Sequence, residues 1–233
     1  MSYFEPVSED FYLDVARGLK PGITHINKFG EVKSSTINIE IPIWDGGING
    51  LAYPYPLTAT ITHVSTAVND IPMLGAQINV QGLDATWNLV NQTVLLDATL
   101  TTTAVALTTP LIRIFRMKVE ANVKTLQLVQ AHDLLKVNIF AQIGIGYNQT
   151  LMAMFTVPAG VTAFMTNYYG DVLENIVLGK DPDATEFYIW AADRLNGYEF
   201  QIKHERGIPK GAGGFVHNFK PYVKFTERTD ILM

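Results

Sequence analysis

Apolar residues in this chain recur at every second position over short runs, and Gly, Pro, Asn and Asp break the runs apart. That period is the signature of half-buried strands, because successive side chains of a strand point to opposite faces. Ile37, Ile39 and Ile41 alternate with Asn38 and Glu40 until Pro42 stops the run. Thr58 to Val64 is strand-like. Ala76 to Gln81, a turn at Gly82-Leu83-Asp84-Ala85 and Thr86 to Leu95 read as a hairpin. Leu111 to Val119 is a further strand, with Arg113 and Lys118 directed outward. Threonine is dense from Thr99 to Thr109, which favours β structure over helix.

The second half follows the same grammar. Val137 to Ile145 alternates. Thr150 to Val157, the turn Pro158-Ala159-Gly160 and Val161 to Tyr169 predict a hairpin, and strands follow over Phe187–Ala191, Tyr198–His204 and Tyr222–Thr226. No long amphipathic run interrupts the series. The expectation is an all-β, antiparallel sandwich of jelly-roll-like type. It divides into an N-terminal arm over 1–33, a first β module over 34–125 and a second over 126–233, with one continuous sandwich as the alternative. In the arm, Phe11, Val15 and Leu19 lie four apart, so a short helix after Ser8 ended by Lys20-Pro21-Gly22 competes with an extended conformation. The final residues, Phe225 to Met233, break off inside a strand-like pattern. Either that strand finds a partner or the natural chain continues further.

Charge is scarce. Charged residues make up 17% of the chain and apolar ones 48%, against roughly 25% charged in an average domain. Either other chains cover much of the surface, or Thr, Asn and Gln make up the polar face. The net charge of −5 is uneven: Ser34 to Ile112 carries no Lys or Arg, and Arg113–Lys136 and Lys203–Lys224 are basic. Acidic and basic segments of this kind suit contacts between subunits.

Several chemistries are disfavoured. Without cysteine there is no disulfide, thiolate metal site or cysteine nucleophile. His25, His63, His132, His204 and His217 are scattered, so no metal-ligand spacing arises. Asp45-Gly-Gly and Asp181-Pro-Asp183 lack the remaining oxygen ligands of a calcium loop. Gly207, Gly211, Gly213 and Gly214 with Lys210 lack the Lys-Ser/Thr ending of a phosphate loop. No GxSxG elbow is present. No catalytic residue, cofactor or metal is expected, and the acidic balance argues against nucleic acid. The uncharged stretch Val137 to Gly170 is too rich in Asn, Gln, Gly and Pro to span a membrane, and the acidic N-terminus is not a secretory signal.

A set of separated segments resembles a widespread group of tailed-bacteriophage virion structural proteins found in marine and environmental phages. They are Phe11-Tyr-Leu-Asp-Val-Ala-Arg-Gly18 with Lys28-Phe-Gly30, Ile43-Trp-Asp-Gly-Gly47, Val80-Gln-Gly-Leu-Asp84 with Thr93-Val-Leu-Leu, and Arg113-Ile-Phe-Arg116. Gln149-Thr-Leu-Met-Ala153 with Thr156-Val-Pro-Ala-Gly160, Phe200-Gln-Ile-Lys-His204 and Glu227-Arg-Thr-Asp-Ile231 complete it. They run in order over nearly the whole chain. The resemblance implies a non-enzymatic virion component made in the bacterial host cytoplasm. The role it implies is a head-decoration (cement) protein on the capsid exterior. Its partners would be the major capsid protein, other virion subunits and its own copies, a trimer being favoured. A tail, baseplate or connector position is the alternative. Phe4, Phe11, Tyr12, Trp44, Tyr53 and Tyr55 are the expected interface anchors, since exposed aromatics commonly anchor contacts. In a rival class, Trp44, Tyr53, Tyr55, Tyr168 and Tyr169 would be stacking platforms for a glycan or receptor.

Overall fold

A computed structural model describes residues 10–32, 40–46, 53–120, 123–172, 184–209 and 212–233. Phe4, most of the strand expected over Ser35–Ile41, the Asp181–Asp183 loop and Lys210–Gly211 lie outside the described residues.

Among the described residues one short α-helix forms, α1 (Phe11–Ala16). Asp10 caps it by accepting a hydrogen bond from the Leu13 amide at 3.1 Å, which satisfies one of the amides a helix start leaves open. The chain leaves the helix at Gly18, whose φ of +73° is the left-handed conformation that glycine adopts freely. The stop therefore comes before Lys20-Pro21-Gly22.

Among the described residues thirteen strands follow in two sandwiches, their pairings antiparallel. The first contains β1 (Ile61–Thr66), β2 (Gln77–Leu83), β3 (Leu89–Leu95), β4 (Val105–Leu111), β5 (Arg113–Val119), β6 (Val129–His132) and β7 (Ile139–Ile143). One sheet has the order β4-β1-β6-β7 and the facing sheet β3-β2-β5. Both contribute to a single core, in which Ile61, Val64, Ile78, Val80, Met117 and Ile143 are fully enclosed. Each such side chain contributes about 1.5–3 kcal/mol relative to exposure.

The second sandwich contains β8 (Met154–Thr156), β9 (Ala163–Asp171), β10 (Ala184–Asp193), β11 (Gln201–Pro209), β12 (Gly214–Phe225) and β13 (Thr229–Leu232). Its sheets are β11-β10-β13-β8 and β12-β9. Tyr168, Ile189 and Phe219 pack between them, as do Val157, Ala191 and Phe225. The C-terminal strand is paired on both edges, with β10 and with β8.

Three expectations need correction. β6 and β7 lie beyond the 125/126 division, yet β6 hydrogen-bonds to β1 over His63–Thr66 and β7 to β6. The change of sandwich therefore falls after Ile143. Residues 150–169 do not form a hairpin, because β8 pairs with β13 and β9 with β12. The Pro158–Gly160 turn carries the chain from one sheet to the other, and Gly160 supplies a φ of +71° there. Arg113 does not point outward; it is 2% exposed. By contrast, the hairpin expected between Ala76 and Leu95 does form, as β2–β3 in register from Gln77↔Leu95 to Leu83↔Leu89. Its turn is shifted to Asp84–Asn88, where the Asp84 carboxylate accepts from the Thr86 and Asn88 amides.

Gly82 sits at an irregularity in the β2–β5 ladder, and a Cβ there would lie 2.2 Å from the Arg113 carbonyl oxygen. Gly82→Ala is expected to destabilise the protein by about 1–3 kcal/mol through overpacking. Gly207→Ala, at an open site, is expected to leave the denaturation midpoint near that of the parent. Chemical unfolding of both variants checks the contrast.

Candidate functional site

The expected interface aromatics separate into two groups. Trp44 and Tyr53 are 2% and 6% exposed and belong to the first sandwich core, their rings 5.5 Å apart in an edge-to-face contact. They are core residues and not surface anchors, which corrects their assignment. Proline-rich, glycine-rich surroundings suggested a surface loop, but the Trp44 backbone bridges to Met152 and draws the ring inward. Tyr55 is half-buried, edge-to-face with Tyr53 and tilted against Phe200. Phe11 and Tyr12 on α1 are 49% and 55% exposed. Leu13, Leu19, Ile23, Ile26 and Phe29 are exposed as well, so the N-terminal segment presents a row of uncovered apolar side chains.

That segment crosses an open cleft walled by β9, the first half of β10, and the ends of β8 and β13. It is fixed at its root. The Lys28 ammonium donates to the Phe115 carbonyl at 2.5 Å, and burial together with the nearby Arg116 charge lowers Lys28 to about 8. Tyr147 Oη donates to Glu31 Oε2 at 3.1 Å. Gly30 lies so close to Ala153 and Ile43 that a Cβ would meet backbone at 2.4 and 2.6 Å. At its far end the segment touches the second sandwich through the hydroxyls of Tyr12 and Tyr222. Between these points Pro21 to Asn27 is exposed throughout.

Beneath the surface the two sandwiches share one buried ionic cluster. Arg113 on β5 grips Asp230 on β13 with two parallel hydrogen bonds, Nε to Oδ1 at 2.8 Å and Nη2 to Oδ2 at 2.9 Å. Arg194 Nε adds a bond to Oδ2 at 2.7 Å, and Thr156 Oγ1 one to Oδ1 at 2.6 Å. Arg113 Nη1 donates to the carbonyls of Pro56 and Ile112. The rings of Tyr55 and Trp87 flank the Arg113 guanidinium at 5.1 and 5.0 Å, and Phe200 lies 4.9 Å from that of Arg194. Burial and the Asp230 charge keep the Tyr55 phenol protonated. The buried charges are matched within the cluster, while the Tyr55 hydroxyl beside it has no hydrogen-bond partner. Sequence reading missed the cluster, although the signals were present: a lone Arg inside Leu-Ile-Arg-Ile-Phe and a lone Asp inside Thr-Asp-Ile-Leu.

Two other polar groupings occur among the described residues. Ser65 Oγ and His132 Nε2 are 2.9 Å apart, a nucleophile–base spacing. Both are enclosed, at 1% and 0% exposure, with Nδ1 of the ring 2.6 Å from the Asp133 carbonyl. His204 on β11 and His217 on β12, both half-buried, lie 4.2 Å apart in a tilted ring contact beside Tyr168 and Phe219. Among the described residues no three His, Asp or Glu side chains are grouped to hold a metal ion, and no helix is long and apolar enough to cross a membrane. Asp45 is displaced from its ordinary ionisation. Burial raises it to about 7, against the Leu151 amide that donates to Oδ1 at 2.7 Å, and the Glu31 charge adds to the rise.

Comparisons with family models, with curated proteins and with solved structures give no match.

Two measurements test this picture. Removing Asp230 alone (Asp230→Ala) strands the buried Arg113 charge and is expected to cost about 3–5 kcal/mol. The pair Arg113→Met with Asp230→Leu is expected to lose less than the single change, because the fully buried Arg113 charge is removed together with its counterpart and the partly exposed Arg194 can turn to water; thermal melts of both variants decide. For Asp45, the raised folded value means stability is fully present below the unfolded value of about 3.9 and is lost as pH rises through about 7. Asp45→Asn is expected to flatten that decline, as read from denaturant midpoints between acid and mildly alkaline pH.

Proposed function

We propose that this protein is a non-enzymatic structural subunit of a tailed-bacteriophage particle. Its place in this reading is the outer face of the head, where it decorates the capsid shell, bound to the major capsid protein and to its own copies as a trimer. The observation that carries the contact-forming part of the reading is the uncovered apolar surface. It comprises the N-terminal segment with Phe11, Tyr12 and Leu19, and the outer faces of β9 and β12 with Phe164, Tyr169 and Val216. A stable interface buries about 1,600 Å² in total, and aromatic anchors dominate its energy. The ordered sequence segments support the virion setting, and two of them, Arg113–Arg116 and Glu227–Ile231, meet in the Arg113–Asp230 pair.

The mechanism is burial without chemistry. Each subunit covers part of its neighbours, and a symmetric shell multiplies individually weak contacts. A tail, baseplate or connector position uses the same physics and differs in copy number. The glycan-binding alternative loses support, because Trp44, Tyr53 and Tyr168 are buried and Tyr55 is half-buried; of its five aromatics Tyr169 is the exposed one.

Locating the protein in purified particles by mass spectrometry and labelled-antibody electron microscopy tests the assignment. Hundreds of copies on the head are expected. A few dozen or fewer at one vertex would move it to the tail or neck, and absence from particles would overturn the virion role.

A further inference from the structure

We infer that α1 is an exchange arm, which docks beside Tyr222 of a second copy of this chain. The inference rests on the assembly reading above and names the surface that assembly uses. The arm is divided by how its parts are held. Its root, Lys28 to Glu31, is locked to its own chain by the Phe115 carbonyl, by Tyr147 and by the close packing of Gly30. Its tip, α1, touches the second sandwich through Tyr12 and Tyr222 and buries Val15.

The stretch between root and tip is what permits exchange. Pro21 to Asn27 is exposed along its whole length, and Gly18 and Gly22 both sit at φ +73° with nothing within 4 Å of where a Cβ would be. The exposure of that stretch leaves it free to carry the tip to either copy. The ten residues Gly18 to Asn27 can extend to about 33–36 Å, which is enough to reach an adjacent small domain.

The docking surface and the arm are complementary and belong to the same chain. Around Tyr222, β12 exposes Lys220 and Lys224, while the acids of the arm are engaged within it, Asp14 with Lys20 at 3.0 Å and Asp10 as the cap of α1, so the match between arm and surface is apolar. The cleft walls expose Val161, Phe164 and Tyr169, and the arm exposes Phe11, Leu19 and Ile23. When the tip folds back on its own chain, both sets stay half in water. A reciprocal exchange repeats the Tyr12–Tyr222 contact between copies and brings the two apolar surfaces of adjacent subunits together. Swapping an existing element requires no new recognition chemistry and closes readily under rotational symmetry.

Because the chain contains no cysteine, engineered thiols report on this contact without background. Tyr12→Cys and Tyr222→Cys are made as separate, differently tagged variants, co-folded, and treated with a short bis-maleimide. A covalent heterodimer carrying both tags is expected, with little cross-linking when either variant is treated alone. Light scattering on the parent protein is run in parallel. If the parent is oligomeric but only the doubly substituted chain cross-links, and only within itself, arm exchange is overturned while assembly stands. If the parent is monomeric at every concentration and the mixed variants give no heterodimer, both fall.

Discussion

The fold depends on a carboxylate that has no access to water. Asp230 is fully buried and accepts four hydrogen bonds, two from Arg113, one from Arg194 and one from Thr156. Ionised carboxylates are tolerated in a protein interior only when their charge and lone pairs are matched. Here the matching groups come from β5 of the first sandwich, β8 of the second and the turn after β10. The cluster therefore specifies how the sandwiches sit against each other in a way that apolar packing alone does not. Leucine and phenylalanine surfaces slide at small cost, whereas a bidentate guanidinium–carboxylate pair permits one geometry. The rings of Tyr55, Trp87 and Phe200 enclose the pair and exclude water from it. Trp87 reaches its place only because it adopts a φ of +67° in the β2–β3 turn, so the shape of a surface hairpin is tied to the charge cluster beneath it.

This arrangement explains which parts of the structure were legible in the sequence. Strand identity was readable because it is local: the side-chain alternation of β2 and the Asp84 turn each occupy a few adjacent residues. Strand partnership was not. The segment from Thr150 to Tyr169 has the alternation and the Pro-Ala-Gly turn of a hairpin, yet β8 is claimed by β13 and β9 by β12, partners 43 or more residues away. A turn signal says that the chain reverses; it does not say whether the reversal stays in one sheet. Arg113 was misread for a related reason. A charged residue in a strand ordinarily faces solvent, and the exception depends on Asp230, 117 residues later. The same limit applies to Trp44 and Tyr53. Their neighbours Gly46, Pro54 and Pro56 mark loops correctly, but a loop can tuck its aromatic residues under the sandwich edge, as the Trp44–Met152 bridge does.

The candidate site was partly legible. Phe11 and Tyr12 were expected to be exposed anchors from their place in an arm that had no strand pattern of its own, and the structure leaves them exposed. The surface that faces them was not readable, because β9, β10 and β12 contribute to it from positions separated by loops, and alternation alone does not reveal which face of a strand stays uncovered. Scarce charge pointed to contact surfaces in general. It could not say where they lie.

Where polar chemistry and apolar surface are placed bears on function more directly than any single residue. Ser65 with His132 and Arg113 with Asp230 are enclosed, each polar group meeting another protein group. The apolar groups follow the opposite trend from a self-contained domain: after two cores are filled, Phe11, Leu19, Phe164, Tyr169 and Val216 still face water. Scattered exposed apolar residues are ordinary. Here, however, one set lies along a tethered segment and another along the strands that this segment crosses. Side chains arranged in that way lower the free energy of the protein when another surface covers them, and the chemistry they offer is burial.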